Sequence, residues 1–435
     1  MKKSPVRDLV MSSILIKNGH VIDPANKRDG RFDILLDRGK IADVQPRLAT
    51  NGAKTIDATG KLVVPGFVDF HTHLREPGRE DKETIETGAR AALRGGFTTV
   101  CAMPNTTPAV DHRGVVDFIR QEAQRLGLAA VAPIGAITKG RQGKELTDFG
   151  ELFDAGCVAL SDDGHPVADG LLMRRALEYA TVFGRPLIQH AEDLALSAGG
   201  VMHEGFVSTT LGLRGIPGES ESVMVARDLA LAELTGGWVH FAHLSSGKSV
   251  ELIRQAKRQG LRVTCEATPH HLALTHEAVE AFDTSAKANP PLRTEADRQQ
   301  LIEGLRDGTI DCIATDHAPH TDWEKDADFD TAPFGISGLE TALGVCAQTL
   351  VQSGRLSWSQ LIEKLSAAPA RLAGLEAGTL SIGVEADVVL IDPAARWTVE
   401  PRRFISKGRH SPFAGCELTG AVSTVLRRGA EVVGA

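Results

Sequence analysis

The chain of 435 residues is poor in the features that mark several large protein classes. Its six cysteines form no Cys-x-x-Cys pair, which removes the dithiol redox motif and the paired-cysteine zinc motif together. Four of them, Cys101, Cys157, Cys265 and Cys312, fall in apolar segments where cysteine serves as a small hydrophobe. A reducing cytoplasm without structural disulfides is therefore expected. No apolar run approaches the length of a membrane span; residues 128–137 are too short and carry Pro133. The basic start, Met1-Lys2-Lys3, has no continuous apolar stretch behind it, so no signal peptide is expected. The Gly-rich first turn of a dinucleotide-binding open sheet is missing as well. A net charge of −8 argues against general binding to nucleic acid or acidic membranes, and leaves room for a local cationic pocket that takes an anionic substrate.

What is present is the composition of a globular protein, 42% hydrophobic and 24% charged. The length exceeds one ordinary core, so a large domain with a smaller companion is expected. Residues 1–12 read as a flexible leader, with Met11 as an alternative start. Residues 13–65 hold short strands separated by turns such as Asn18-Gly19 and Arg38-Gly39, and residues 375–435 share that texture. The two ends together predict one small β-sandwich. Between them, residues 66–374 alternate strand and helix, with candidate strands at 66–73, 98–105, 129–137, 157–163, 186–192, 238–245, 262–269 and 311–317. The clearest helical patterns are 223–234 and 249–259. The strands are short apolar runs, as strands buried on both faces should be. Eight such units predict a (β/α)8 barrel, an α/β fold whose active site lies at the C-terminal ends of the strands.

Those ends carry the chemistry. Residues i and i+2 of a strand share a side, so His71 and His73 leave the first strand together. The later ends supply Asn105, Asp162-Asp163, His190, His243 and Asp316. Four histidines and two carboxylates, Asp316 and one of the Asp162-Asp163 pair, exceed the three protein ligands of one catalytic zinc. Two metals roughly 3.5–4 Å apart, bridged by a carboxylate and a hydroxide, would use all six. His240 is expected to face away from His243, into strand–helix packing. His270-His271 read as structural, His165, His203 and His410 as loop residues, and Cys157 and Cys265 as core.

The chain resembles the amidohydrolase superfamily, and within it the class I dihydroorotases of bacterial pyrimidine biosynthesis. The likeness rests on Asp69-Phe-His-Thr-His-Leu-Arg-Glu-Pro-Gly78, Gly95-Gly-Phe-Thr-Thr-Val-Cys-Ala-Met-Pro-Asn105, Ser161-Asp-Asp-Gly164, His190-Ala-Glu-Asp193, Ala242-His-Leu-Ser245, Lys287-Ala-Asn-Pro-Pro-Leu292 and Ala314-Thr-Asp-His-Ala-Pro-His320. It runs from about residue 14 to the C-terminus. The resemblance implies a metal-dependent barrel with a composite β-sandwich and two zinc ions per subunit. His71, His73 and Asp316 would hold one ion, His190 and His243 the other. Asp163 would bridge them, where many relatives use a carboxylated lysine.

The implied reaction is the reversible cyclisation of N-carbamoyl-L-aspartate to L-dihydroorotate plus water, through a metal-bridging hydroxide with Asp316 as general acid and base. Arg75 would pair with the substrate carboxylate. His73, Asn105, Asn289, His320 and the Phe334-Gly335 backbone would complete the contacts, behind a charged, mobile loop at 321–331. The implied partners are that small-molecule substrate, a second copy of the chain in a homodimer, and aspartate transcarbamoylase. An allantoinase or hydantoinase-like amidohydrolase is the nearest alternative, distinguished by Arg75 and the aspartate bridge. A non-catalytic partner of the transcarbamoylase would have lost metal ligands that this chain keeps.

Overall fold

The computed structural model describes residues 13–49 and 52–434; the leader and the alternative start at Met11 lie outside them. Apart from a short separate pair, Met202–His203 with Gly215–Ile216, eight parallel strands follow one another through the middle of the chain: β1 (Phe67–Thr72), β2 (Phe97–Ala102), β3 (Ala130–Pro133), β4 (Leu160–Ser161), β5 (Leu187–Gln189), β6 (Val239–Phe241), β7 (Val263–Ala267) and β8 (Cys312–Ile313). Strands β1 to β3 pair in sequence, as do β4 to β8. Parallel bridges Gly135↔Leu160 and Thr72↔His317 join the two groups at both margins. Each of the eight numbered strands is thus tied to the next, and the last to the first.

The local sequence explains these elements. All six residues of β1, Phe-Val-Asp-Phe-His-Thr, are buried, which suits a parallel strand covered on both faces. Helix Gly247–Arg258 begins at Ser246, whose hydroxyl accepts the Lys248 N–H, and ends with Lys257 and Arg258 against the C-terminal dipole. Its buried residues Val250, Ile253 and Ala256 recur at helical spacing. The observed strands are shorter than those expected because their C-terminal residues leave the ladder. Of residues 157–163 only Leu160 and Ser161 remain paired, and the two aspartates beyond them turn to other partners.

Two further sheets are built from the ends of the chain. One has four strands, in the order Lys40–Gln45, Asp33–Asp37, Ile14–Lys17 and Lys54–Asp57. The other has six, in the order Ala430–Val433, Glu417–Arg427, Val388–Thr398, Leu62–Pro65, His20–Asp23 and Arg28–Arg31. Ile16, Ile34 and Leu36 of the first share a buried cluster with Val21, Val63, Val388 and Leu426 of the second. Leu62–Pro65 runs into β1 through Gly66 alone, which anchors the middle of the chain to this outlying pair of sheets.

Cys101, Cys157, Cys265 and Cys312 are buried and unpaired. No helix among the described residues is long and apolar enough to cross a membrane.

Candidate metal centre

The C-terminal ends of β1, β4, β5, β6 and β8 converge. Asp69, buried on β1, accepts hydrogen bonds from the Thr315 hydroxyl (2.6 Å) and backbone N–H (3.1 Å), locking the end of β1 to that of β8. Burial pushes its carboxyl up to about 7. Two residues on, His71 is fully buried, its Nε2 3.4 Å from Asp163 Oδ2 and 3.5 Å from Asp316 Oδ1. His73 Nε2 lies 3.5 Å from Asp163 Oδ2 and 3.0 Å from Asp316 Oδ1. On the opposite side of Asp163, Oδ1 is 3.5 Å from His190 Nδ1 and 3.3 Å from His243 Nε2. One carboxylate therefore presents a different oxygen to each pair of histidines. Within each of the triads His71–His73–Asp163 and Asp163–His190–His243, the donor atoms lie within 4.8 Å of one another.

The neighbouring Asp162 takes no part in this. Thr138 claims it through its backbone N–H (2.9 Å) and its hydroxyl. Asp316 and His243 both adopt left-handed backbone conformations, φ 47° and 31°, and Arg75 a third at 63°. For residues with a Cβ such values are costly and concentrate at functional sites.

The electrostatics call for positive charge at the centre. Burial alone would raise the pKa of Asp163, yet the surrounding imidazoles of His71, His190 and His243 hold it far below the usual range. Burial opposes protonation of His190, but Asp163 and Glu192 carry it up to about 10. Ring hydrogen bonds on the outer side fix which nitrogens face inward. His71 Nδ1 is 2.7 Å from Glu266 Oε1, His73 Nδ1 is 2.9 Å from Asn105 Oδ1, and His190 Nε2 is 3.0 Å from Glu192 Oε2. With its outer nitrogen satisfied, His71 leaves a buried Nε2 with no hydrogen-bond partner among the described residues. A lone pair aimed at two carboxylates without a proton acceptor or donor fits a bound cation. Imidazole and carboxylate donors together suit a divalent metal.

A cavity of about 340 Å³ opens over this cluster. His73, Arg75, Asn105, Asp163, His190, His243, Asn289, Asp316, His320, Phe334 and Gly335 line it; of the site residues expected from sequence only His71 lies beneath its surface. The Arg75 Nε donates to the Pro319 carbonyl (3.3 Å), and neither Nη has a protein acceptor among the described residues. Burial lowers its pKa to about 10, so it stays a cation at neutral pH. Asn289 donates to Glu192 Oε2 (3.0 Å). His320 lines the cavity with both ring nitrogens engaged, Nε2 with the Phe334 carbonyl (2.8 Å) and Nδ1 with Lys82 Nζ (2.9 Å). It therefore holds the cavity wall and has no ring nitrogen free for a ligand. Gly335, at φ 143°, abuts the Ala318 carbonyl, where any Cβ would come within 2.5 Å. The segment expected as a mobile loop contains a helical turn, Asp322–Lys325, capped by Thr321. Lys325 Nζ donates to the carbonyls of Pro333 (3.0 Å) and Gly335 (2.9 Å), and Lys287 Nζ to those of Phe329 (2.5 Å) and Asp330 (3.2 Å).

Two expectations from sequence require correction. His240 does not pack between strand and helix; it sits under the centre, its Nε2 3.2 Å from Glu266 Oε2 and its ring edge-on to Phe70. Strand alternation ends at Phe241, and with φ 31° His243 swings over the strand end, so the parity rule does not relate the two histidines. His203, expected in a loop, lies in a short strand, Met202–His203, paired in parallel with Gly215–Ile216, where Gly215 permits the close approach. His410 lies in a loop as expected, is buried, and accepts the His320 backbone N–H (3.1 Å). His271 is structural, bonded to Thr268 and the Pro290 carbonyl. Glu266, Glu192 and Lys82 were not anticipated. Glu266 carries a legible signal, a lone carboxylate inside the apolar end of β7.

A family profile described as "Dihydro-orotase-like" matches residues 60–249. The dihydroorotase of Pelotomaculum thermopropionicum is 54% identical over 407 residues, covering 94% of this chain and 95% of its own. That of Anaeromyxobacter dehalogenans strain 2CP-C is 55% identical over 414 residues, with coverage of 94% and 95%. Among solved structures, the L-hydantoinase (dihydropyrimidinase) from Arthrobacter aurescens superposes with a TM-score of 0.87 at 27% identity, over 98% of this chain and 96% of that one. A D-hydantoinase (dihydropyrimidinase) from a Thermus species gives 0.80 at 27% identity, over 97% and 95%.

Proposed function

The chain belongs to the dihydroorotase family of amidohydrolases, and we propose that it catalyses the reversible cyclisation of N-carbamoyl-L-aspartate to L-dihydroorotate and water, as a class I enzyme of pyrimidine biosynthesis. The observation that carries this reading is Arg75: an uncommitted guanidinium fork in the same cavity as two imidazole pairs that share one carboxylate. A ring amide bearing a carboxylate satisfies both halves of that cavity. An uncharged hydantoin or dihydropyrimidine ring would leave the fork unpaired.

His71, His73 and Asp316 would hold one divalent ion, zinc in this reading, and His190 and His243 a second, with Asp163 between them. When bound, such a pair supplies Lewis acidity that makes water nucleophilic near neutral pH and polarises a carbonyl. The protein contributes orientation and proton transfer. Burial would raise the Asp316 pKa, but the neighbouring imidazoles, His73 foremost, hold it below the usual carboxylate range. It therefore enters the hydrolytic direction as a base. It takes a proton from the attacking water and passes it to the ring nitrogen as the C–N bond breaks. In the cyclising direction the same oxygen takes the proton of the attacking carbamoyl nitrogen and delivers it to the departing hydroxyl. Asn105 orients His73 through Nδ1, and its amide nitrogen remains for the substrate. Asn289 and the Phe334-Gly335 wall would meet the ring, with His320 as the support of that wall.

The same proposal covers the architecture: a (β/α)8 barrel over residues 66–374 and a composite sandwich of 13–65 with 375–435. The sequential parallel pairing, with bridges at both margins, supports the first. The cluster shared by the two terminal sheets supports the second. Cytoplasmic location, a homodimer and association with aspartate transcarbamoylase complete it, the last two open to size-exclusion analysis with and without the transcarbamoylase.

Ring opening of dihydroorotate by the zinc-loaded protein, beside allantoin and dihydrouracil, tests the function. Turnover of dihydroorotate alone, abolished by a chelator, is expected. Preference for an uncharged ring would overturn the assignment in favour of a hydantoinase-like activity.

A further inference from the structure

A third group of metal-ligating side chains, His240, Glu266 and Cys312, lies beneath the centre with its donor atoms within 4.8 Å of one another. Its hydrogen bonds argue against a third ion. Glu266 Oε1 accepts from His71 Nδ1 (2.7 Å) and from the His243 backbone N–H (3.3 Å), while Oε2 faces His240 Nε2 (3.2 Å). Burial keeps the Cys312 thiol protonated. The lone pairs that an ion would need are already in use.

The direction of these bonds is set from behind. Trp238 Nε1 can only donate, and it donates to Thr264 Oγ1 (2.9 Å). The Thr264 hydroxyl hydrogen is then available to His240 Nδ1, 2.9 Å away. That leaves the His240 proton on Nε2, aimed at Glu266. The other partner of the carboxylate, His71, must likewise carry its proton on Nδ1, which turns the Nε2 lone pair toward the centre. The relay ends on one buried carboxylate, and that carboxylate grips both halves of the centre, one by a side chain and the other by a main chain.

We infer that Glu266, backed by His240, is a positioning residue that sets the tautomer and ring angle of His71 and ties β6 to β7 under the two imidazole pairs. The inference rests on the metal-centre reading above. Because Glu266 touches the His71 side chain but only the backbone of His243, its loss should act unequally on two bound ions. Glu266 is the hydrogen-bonded route from His240 to the centre, so the effect of His240 should vanish once Glu266 is changed.

The test is zinc binding by the full chain, read by chelator competition and elemental analysis, with the thermal midpoint of the metal-free protein measured in parallel. Wild type should bind two ions. In Glu266→Gln one ion should weaken by roughly 10–100-fold, the size seen when such supporting partners are lost, while the other changes little and the metal-free midpoint holds. His240→Asn should move the same ion in the same direction by less, and the double variant should match Glu266→Gln alone. Unchanged affinity for both ions in Glu266→Gln would overturn the inference. So would equal weakening of both with a lowered metal-free midpoint, which assigns Glu266 to folding alone. Wild type that takes up no divalent ion would overturn the underlying reading, and that result appears before any substitution is made.

Discussion

Replacing Arg75 by alanine separates recognition of the substrate from the chemistry. The guanidinium is held at its root by a left-handed backbone, φ 63°, and by the Nε bond to the Pro319 carbonyl. The side chain lines the cavity, and neither Nη group has a protein acceptor among the described residues. Two charge-assisted hydrogen bonds to a carboxylate contribute about 1.5–3 kcal/mol each. The lower bound for the pair, about 3 kcal/mol, corresponds to a loss of affinity of roughly 100-fold. Arg75 touches neither imidazole pair, so the loss should fall on KM for dihydroorotate, with kcat changed far less and metal content unaltered. Steady-state ring opening, followed by absorbance and accompanied by zinc analysis, reads all three quantities. Arg75→Lys should recover only part of the loss, since an ammonium cannot reproduce the fork. A KM within twofold of wild type, or a variant that sheds its metal, would refute the reasoning.

Three further substitutions probe other parts of the site. Asp163→Asn should lower the number of bound ions, because it removes the charge that both imidazole pairs share; elemental analysis showing two ions retained would count against the bridge. Asp316→Asn should cut kcat by about 10²–10⁴-fold, the usual range for a proton-transfer group, while the circular dichroism spectrum stays that of wild type. Lys325 offers a test in pH. Burial lowers its pKa to about 7, so between pH 7 and about 10.4 the unfolded chain binds the extra proton and stability from this group rises with pH. Lys325→Met should remove up to one proton from that slope, about 1.4 kcal/mol per pH unit, as read from denaturant unfolding at pH 7.5 and 9.5. An unchanged slope would show that Lys325 stays charged in the fold.

How much of the site was legible follows from the range of each interaction. His71 and His73 could be paired from sequence because strand alternation is a local property, and the structure brings both to the centre although the register of β1 slips between Asp69 and Thr72. His190, His243 and Asp316 were legible as polar residues closing apolar runs. The choice between Asp162 and Asp163 was not, since what removes Asp162 is Thr138, 24 residues away. Alternation misplaced His240 because it presumes a continuous strand, and β6 ends at Phe241 before the chain turns to bring His243 inward. His320 was legible as a cavity residue by resemblance alone. Its engagement by Lys82 and the Phe334 carbonyl joins residues 238 and 14 positions apart.

The sequence by itself determined the order of the strands, the residue types at their ends and the chemistry those types can perform, because periodicity, burial preference and donor character are properties of short segments. The tertiary structure alone decided which oxygen of Asp163 faces which histidines, which His71 nitrogen is left without a partner, and which buried carboxylate stands behind it. Those outcomes depend on contacts between segments up to about two hundred and fifty residues apart, such as Asp69 with Thr315 and His71 with Glu266. A hydrogen bond is decided by tenths of an ångström and by angle, and only the assembled tertiary structure brings such partners to that precision.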